Sequence, residues 1–245
     1  MTSLSVITVF KIGQLFELEN TVSSVRSQTV PPHEHILVVS GVNNPVDFEI
    51  KFANNFTKLI INKDLSIYNA MNIGLARSTG DALIFLNGGD CFVDCTSIEK
   101  IIKNYVSGRC LAMRAVQVYA DDFYVRPALR RLSDLKKWPN HQAFIAAGVP
   151  ARQVKFDELK TISSDMEWMR GLIDRCGVKL NHEVISKFAL GGISNMPTIS
   201  TTKARLLEGG YFQAFLEFVK FIIRVLFGKK NYYRIVLSYK NDKSY

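Results

Sequence analysis

Hydrophobic positions in the first half of the chain alternate between two spacings. Ser5–Phe10 is a β-branched run typical of a buried strand, and apolar residues follow it at helical spacing through Val25. Further strands are predicted at His35–Val39, Lys58–Ile61, Asp81–Leu86 and Cys110–Tyr119, and helices at Ile67–Ala76 and Ile98–Tyr105. The alternation predicts an α/β fold, Rossmann-like, with a mostly parallel sheet flanked by helices.

The second half of the chain is less regular. Residues 121–139 are polar and irregular, whereas Ser163–Cys176 has the apolar spacing of a helix. We predict one domain over residues 1–200 and a helical C-terminal extension over residues 201–245. Because parallel α/β sheets bind ligands at the carboxyl ends of their strands, candidate chemistry is expected in the loops there.

The extension is predicted to be a helix whose polar side is much narrower than its apolar side. Its polar residues form one narrow stripe on an otherwise apolar and aromatic helix: Gln213, Glu217, Lys220 and Arg224. Such a helix must bury most of its surface. Two hypotheses stay open: packing against the domain or a second copy in a homodimer, or peripheral contact of residues 211–234 with an anionic membrane, with Lys229, Lys230 and Arg234 facing the headgroups.

Composition and charge exclude several classes of protein. With 245 residues, 47% hydrophobic and 22% charged, the chain has the make-up of an ordinary folded protein. The net charge of +9 is concentrated late, since residues 1–120 hold ten basic and ten acidic side chains, which disfavours nucleic acid as a partner. The sequence has no spanning segment and no secretory signal, so we expect a cytoplasmic location, peripheral at the inner face of the membrane if the extension meets lipid.

Several familiar motifs are missing. The chain has no G-x-G-x-x-G after its first strand and no G-x-x-x-x-G-K-[ST], which disfavours a dinucleotide dehydrogenase and a P-loop NTPase. The four cysteines lack C-x-x-C spacing, which disfavours a zinc or redox site. What remains is a set of carboxylate and asparagine side chains at predicted strand ends.

The most informative stretch runs from Asp64 to Asp90 and ends in Asn87-Gly88-Gly89-Asp90. It resembles the bacterial family 2 glycosyltransferases of the GT-A fold, in which a segment like D-x-G-I-Y-D-A-M-N-x-G precedes a strand ending L-N-S-G-D. Other matching pieces occur in the same order, over about residues 3–195: S-V-I-T-V from Ser5, T-x-x-S-x-x-x-Q from Thr21 to Gln28, His141-Gln142, Ser164-Asp165 and Gly191-Gly192-Ile193-Ser194.

The resemblance implies an activity. Family members of the polysaccharide-assembly branch (capsule, O-antigen or colanic acid type) transfer a hexose with inversion from a nucleoside diphosphate sugar to a saccharide, often lipid-linked. Residues 1–200 would then be the catalytic domain. Contacts with the donor or its nucleotide are implied for eight residues: Thr8, Phe10, Ser40, Asp64, Tyr68, Asn72, Asn87 and Asp90.

Three positions depart from the family pattern. Ser40 replaces the aspartate that reads the base in relatives, Asn69 replaces another aspartate, and the D-x-D motif is absent. Asp90 is therefore the one candidate carboxylate for Mg²⁺ or Mn²⁺, which is acceptable because magnesium commonly uses one or two carboxylates plus substrate phosphates. The alternative is that Asn87–Asp90 only closes a surface turn.

Asp165 is the candidate catalytic base, because the resemblance places an acidic residue at this helix start next to the acceptor hydroxyl. The alternative is a helix cap, and Glu167 is the reserve base. His141 and Gln142 are expected to line the sugar or acceptor site.

Trp168 lies on the same predicted helix as Asp165. It is a candidate for stacking on an acceptor ring, with core packing as its alternative.

Two other functions remain open from the sequence. A sugar-1-phosphate nucleotidyltransferase would also use a βαβ sheet and a carboxylate-held metal, although it should carry a Gly-rich basic first loop where this chain has Lys11-Ile12-Gly13-Gln14. A non-catalytic nucleotide-sugar-binding module would explain Ser40, Asn69 and the missing D-x-D. The transferase hypothesis requires Asp90 and Asp165 to bracket one hexose at the carboxyl rim of the sheet.

Overall fold

The computed structural model describes residues 2–11, 13, 15–42, 45, 48, 56–119, 122–125, 140–190 and 196–238. Its strands are β1 (Leu4–Lys11), β2 (Glu34–Ser40), β3 (Lys58–Asn62), β4 (Ala82–Phe85), β5 (Cys91–Phe92), β6 (Cys110–Tyr119), β7 (Asp122–Val125), β8 (Phe144–Ala147) and β9 (Val178–Ala189). Its helices are α1 (Leu15–Arg26), α2 (Ile67–Arg77), α3 (Ser97–Asn104), α4 (Gly148–Gln153), α5 (Ser164–Cys176) and α6 (Ile199–Ser238), with a 3₁₀ turn at His141–Ala143.

The strands form one sheet in the order β3-β2-β1-β4-β8-β6-β9-β5, with β7 paired to β6. The four strands from β3 to β4 are all parallel, so their carboxyl ends share one rim. Strand β8 runs antiparallel to both β4 and β6 and joins this half to a mixed half, where β6 and β9 are again parallel. The predicted α/β class, with a sheet flanked by helices and a helical C-terminal part, is confirmed.

Burial on both faces explains the continuous apolar runs. One face of the sheet packs on α2 and α5 through residues such as Ile7, Val38, Met71, Leu75 and Met169. The opposite face packs on α1 and α3 through Val6, Ile84, Val25, Ile98 and Ile101. Strands covered on both sides need apolar residues at every position rather than at alternate ones, which is why β1 and β2 stood out in the sequence.

Four strands were not predicted. Asp122–Val125 pairs with β6 where an irregular segment was expected, and residues 126–139 lie outside the described part of the chain. Strand β9 mixes exposed and buried positions and shifts register against β6, so it lacks a clean period of two. Strands β5 and β8 are too short to give a pattern.

The last helix bends twice. Gly210 (φ 79°) and Gly228 (φ 76°) adopt backbone angles that residues with a side chain rarely tolerate. After the second bend the chain returns to the domain, where Tyr232 and Tyr233 are buried against Tyr119 and other apolar residues. Within the described residues, none of the helices has the length and apolar character to cross a membrane.

Candidate active site

The turn Asn87–Asp90 follows β4 at the carboxyl rim. The Asp90 amide donates to the Asn87 carbonyl at 2.9 Å, and Gly89 takes a positive φ of 98° that favours glycine. Gly88 is required for another reason: the Phe10 ring lies where a side chain would start, with Cδ2 only 2.2 Å from a Cβ built there. The turn is therefore closely fitted to the end of β1.

Helix α1 holds this turn from the side. The Gly89 amide donates to Thr21 Oγ1 at 2.9 Å, and the Phe92 amide donates to Ser24 Oγ at 3.2 Å. One turn later Gln28 donates to the Asp94 carbonyl at 2.7 Å. The T-x-x-S-x-x-x-Q pattern was matched only by resemblance, and the structure shows what it does physically, because these side chains position the segment that carries Asn87 and Asp90.

Asp90 is buried at the base of the site, with 4% of its surface exposed. Its Oδ2 accepts a hydrogen bond from Gln142 Nε2 at 2.8 Å, and its Oδ1 accepts one from the Ala189 amide at 3.1 Å. Burial raises the pKa of Asp90 to about 6, although nearby His141 and these hydrogen bonds oppose the rise. Asp90 thus ties the 3₁₀ turn to the end of β9.

Asp165 lies at the start of α5 and keeps a quarter of its side chain exposed. Its Oδ2 is 3.1 Å from His141 Nδ1, and His141 Nε2 is 3.1 Å from Asn87 Nδ2. Because an amide nitrogen can only donate, Nε2 accepts and the Nδ1–H donates to Asp165. Burial acts to raise the pKa of Asp165, but the hydrogen bond from His141 and the electrostatic interaction with its ring outweigh burial and lower the pKa.

The two acidic residues are linked through neighbours. His141 contacts Asp165 and Gln142 contacts Asp90, and these two linkers are consecutive residues of one short turn. The structure therefore brings Asp90, Asp165, Asn87, His141 and Gln142 together at one rim. They do not face separate surfaces.

Tyr68 also belongs to this group. Its ring is buried and stacked on Phe156, with ring centroids 5.9 Å apart. Burial, with the negative charge of Asp165 nearby, raises the pKa of Tyr68 well above its usual range. The phenol therefore remains a hydrogen-bond donor beside the candidate base.

The expected nucleotide contact of Asn72 is corrected by the structure. Its Nδ2 donates to the Phe156 carbonyl at 3.0 Å and to Glu158 Oε1 at 2.8 Å, and its Oδ1 accepts from the Phe156 amide at 2.8 Å. Asn69 donates to the other oxygen of Glu158 at 2.7 Å. Both ends of the Asn72 amide are therefore occupied in holding a loop, and Asn69 supports the same loop through Glu158.

The residues expected around the nucleotide base lie in different environments. Thr8 is fully buried and its hydroxyl lies 2.9 Å from His35 Nε2, so the prediction that Thr8 lines the base pocket is wrong. Phe10 is packed in an apolar cluster, and its contribution to the site is its contact with the turn at Gly88. Ser40 ends β2 at the carboxyl rim but is buried. Asp64 follows β3 and is exposed.

Trp168 is a core residue, which corrects its candidate role in stacking on an acceptor. Its side chain is 2% exposed, its indole N–H donates to the Val154 carbonyl at 2.9 Å, and its ring stacks on Phe156 with centroids 4.7 Å apart. A ring enclosed on both faces offers no surface to a sugar.

Two residues of α6 were missed. Glu208 Oε1 accepts from the Thr161 amide at 2.9 Å, and Arg205 donates to Ser163 Oγ. Ser163 has a φ of 73°, a conformation that a non-glycine residue keeps only when its surroundings impose it. The extension thus holds the loop that leads into Asp165. Two charged residues on a helix give no sequence signal that they contact a distant loop.

A divalent cation has oxygen donors at this rim. Asn87 Oδ1 is buried and has no hydrogen-bond partner among the described residues, and Asp90 supplies one carboxylate from the same turn. The described residues contain no cluster of three or more His, Cys, Asp or Glu suited to a metal. The oxygen chemistry fits Mg²⁺ or Mn²⁺ if substrate phosphates complete the coordination shell. The Gly191–Ser194 piece of the resemblance lies outside the described residues.

Solved structures share this fold at low sequence identity. The chain matches S. aureus TarS 1–349 in complex with UDP-GlcNAc with a TM-score of 0.63 and 12% identity, over 84% of this chain and 65% of that one. The same fragment in complex with UDP matches with a TM-score of 0.58 and 13% identity, over 77% and 61%. A longer TarS structure matches with a TM-score of 0.59 and 13% identity, and the chain spans 38% of its length.

No curated protein matches the chain in sequence. The family model for glycosyl transferase family 2 matches residues 5–169, which span every residue of the rim cluster. The predicted enzyme class is thereby confirmed at the level of the family. Because this match covers more than half of the chain, the protein belongs to glycosyl transferase family 2.

Proposed function

We propose that this protein is an inverting glycosyltransferase that moves one sugar from a nucleoside diphosphate sugar to a hydroxyl of a saccharide acceptor. The observation that carries the proposal is the pairing of Asp165 with His141 at the same rim as the Asn87–Asp90 turn. Asp165 is ionised, partly exposed and oriented. An ionised carboxylate that is partly exposed can take the proton of an acceptor hydroxyl that lies within hydrogen-bond distance.

The base acts on the acceptor. An acceptor hydroxyl hydrogen-bonded to Asp165 gives its proton to the carboxylate as its oxygen attacks the anomeric carbon. The bond from that carbon to the diphosphate oxygen breaks on the opposite face, and the configuration inverts. The Nδ1–H of His141 holds the carboxylate in place, and Asn87 holds His141 through its second ring nitrogen.

The donor is a nucleoside diphosphate sugar. TarS structures that share the fold hold UDP-GlcNAc and UDP, which makes uridine diphosphate sugars the first donors to test. Exposed Asp64 and the buried hydroxyl of Ser40 lie at the ends of β3 and β2, on the rim where a nucleotide would meet the parallel strands.

Mg²⁺ or Mn²⁺ is part of the proposal. Asp90 and Asn87 Oδ1 would hold it together with the donor phosphates. When bound, such an ion stabilises the negative charge that develops on the leaving diphosphate.

The acceptor is proposed to be a lipid-linked saccharide of a surface polysaccharide such as a capsule or O-antigen. Support comes from the resemblance in the Asp64–Asp90 segment and from the basic aromatic stretch 211–234. Peripheral membrane contact through that stretch would bring the enzyme to such an acceptor.

The function is tested with a panel of sugar nucleotides. We expect one donor to raise the Tm in the presence of Mn²⁺, because a ligand that binds only the folded state stabilises it, and to release nucleoside diphosphate when an acceptor is added. Release of pyrophosphate from a nucleoside triphosphate would instead identify a nucleotidyltransferase. Donor binding without transfer at any metal concentration would identify a binding module.

A further inference from the structure

Residues 211–227, between the two glycine bends of α6, form a helix that we call the outer segment. Two residues of its polar stripe, Glu217 and Arg224, face the protein, whereas Gln213 is exposed. Glu217 is 7% exposed and accepts a hydrogen bond from Lys220 Nζ at 3.1 Å. Glu217 and Arg224 both lie close enough to the buried Tyr232 to influence its pKa, which burial raises to about 12. The part of the stripe that holds Glu217 and Arg224 therefore lies against the returning end of the chain.

The apolar side of the outer segment faces outward. Six of its large side chains are more than half exposed: Tyr211, Phe212, Phe215, Val225, Leu226 and Phe227. Water-soluble monomers rarely expose a contiguous apolar patch of more than a few hundred Å². A helix that exposes this many aromatic and aliphatic side chains is stabilised when something other than water covers them.

The charge of this stretch favours a negatively charged surface as the partner of the outer segment. Residues 211–235 contain five basic side chains and one acidic side chain, and that acid is the buried Glu217. Lys229 and Lys230 are exposed immediately after the apolar side. A second copy would bring two such positive surfaces together, whereas an anionic bilayer takes the aromatic side chains into its interface and the lysines at its phosphates.

We propose that the outer segment lies in the plane of an anionic lipid bilayer, with its aromatic side buried among the lipids and Lys229 and Lys230 at the headgroups. The segment before Gly210 carries Arg205 and Glu208, which hold the loop leading to Asp165. The bend at Gly210 thus connects the proposed membrane-contacting segment to the residues that hold the loop before Asp165. The lipid surface is inferred from the helix alone and does not depend on the proposed reaction.

The test is flotation of the full chain with vesicles of phosphatidylcholine, alone or mixed with phosphatidylglycerol. We expect the protein to float with the mixed vesicles, less at high salt, and to stay down with phosphatidylcholine alone. The double variant Phe215→Ser, Leu226→Ser should lower partitioning by about tenfold or more because it removes buried apolar area. The double variant Lys229→Gln, Lys230→Gln should lower it by about tenfold on the anionic vesicles.

The matched control is Val149→Ser with Leu159→Ser, which changes exposed apolar residues outside α6. It should float like the unaltered protein, and an unchanged Tm in every variant excludes unfolding as the cause. The proposal is overturned if the full chain floats with neither vesicle, or if the control loses as much binding as the Phe215 and Leu226 variant. A dimer that this variant converts to a monomer, without vesicle binding, would assign the surface to a second copy.

Discussion

Two buried glutamates show how differently the sheet and the outer segment are built. Glu34, at the start of β2, is buried and its carboxylate accepts hydrogen bonds from Lys58 Nζ at 2.6 Å, Ser5 Oγ at 2.7 Å and Thr79 Oγ1 at 3.0 Å. Glu217 belongs to a stripe that is polar along its length, while the apolar side chains beside it face outward. The apolar side chains of the sheet are buried within the protein, whereas those of the outer segment are exposed on its surface.

The largest effect on stability should come from the interior of the sheet domain. Trp168→Ala removes a fully packed ring and leaves the Val154 carbonyl without its donor, so we expect a loss of about 3–5 kcal/mol in the free energy of unfolding. Urea unfolding measures it. Trp168→Phe should cost less, and a loss below about 1 kcal/mol in Trp168→Ala would contradict the assignment of this ring to the core.

The buried charge of the sheet predicts a pH dependence. Burial opposes ionisation of Glu34, but the hydrogen bonds from Lys58, Ser5 and Thr79 outweigh it and lower the pKa from 4.5 to about 2. The stabilisation, up to about 3 kcal/mol, is present above pH 4.5 and is lost as the pH falls toward 2, because the unfolded chain then binds the proton more readily. The unfolding free energies of Glu34→Gln and the unaltered protein should therefore converge between these pH values. A constant difference across this range would show that Glu34 contributes by packing alone.

A smaller effect is expected where α1 meets the active-site turn. Thr21→Val keeps the shape of the side chain but removes the acceptor of the Gly89 amide, which should cost about 1–2 kcal/mol in unfolding free energy and weaken donor binding. Ser23→Ala, an exposed change on the same helix, is the control. Equal donor affinity in both variants would mean that the turn does not need this hydrogen bond.

The smallest effect on stability should come from the outer segment. In Phe215→Ser with Leu226→Ser, both side chains are already in water in the absence of lipid, so unfolding in plain buffer should change by less than about 0.5 kcal/mol. Thermal unfolding without vesicles measures it. A large destabilisation would show that these residues pack against the protein and would remove the contrast with Trp168.

The sequence predicted those parts of the molecule whose pattern is local. Strands β1, β2 and β4 were found because burial on both faces requires continuous apolar runs, and the half-buried edge strand β3 was found from its short apolar run. Asp165 was singled out by resemblance. The residues that support the site depend on distant contacts, such as Thr21 with Gly89 and Glu208 with Thr161, which no local pattern records.

The same limit applies to side chains that are polar or amphipathic. Trp168 and Asn72 were assigned to a ligand, but their hydrogen-bonding groups meet the backbone of residues 154 and 156 instead. Periodicity found the polar stripe of the extension. It could not show that Glu217 in this stripe faces inward, because a helical period fixes which residues share a side and not what that side contacts.

Asp165 is proposed to take the proton of the acceptor hydroxyl, and single-turnover transfer by Asp165→Asn is the sharpest test of that role. The asparagine can still accept the His141 Nδ1–H bond, so donor affinity should stay within about twofold, while the transfer rate should fall by roughly 10²–10⁴-fold. Glu167→Gln, an exposed change on the same helix, should retain its rate. Undiminished transfer by Asp165→Asn, or an equal loss in Glu167→Gln, would refute the assignment of Asp165 as the base.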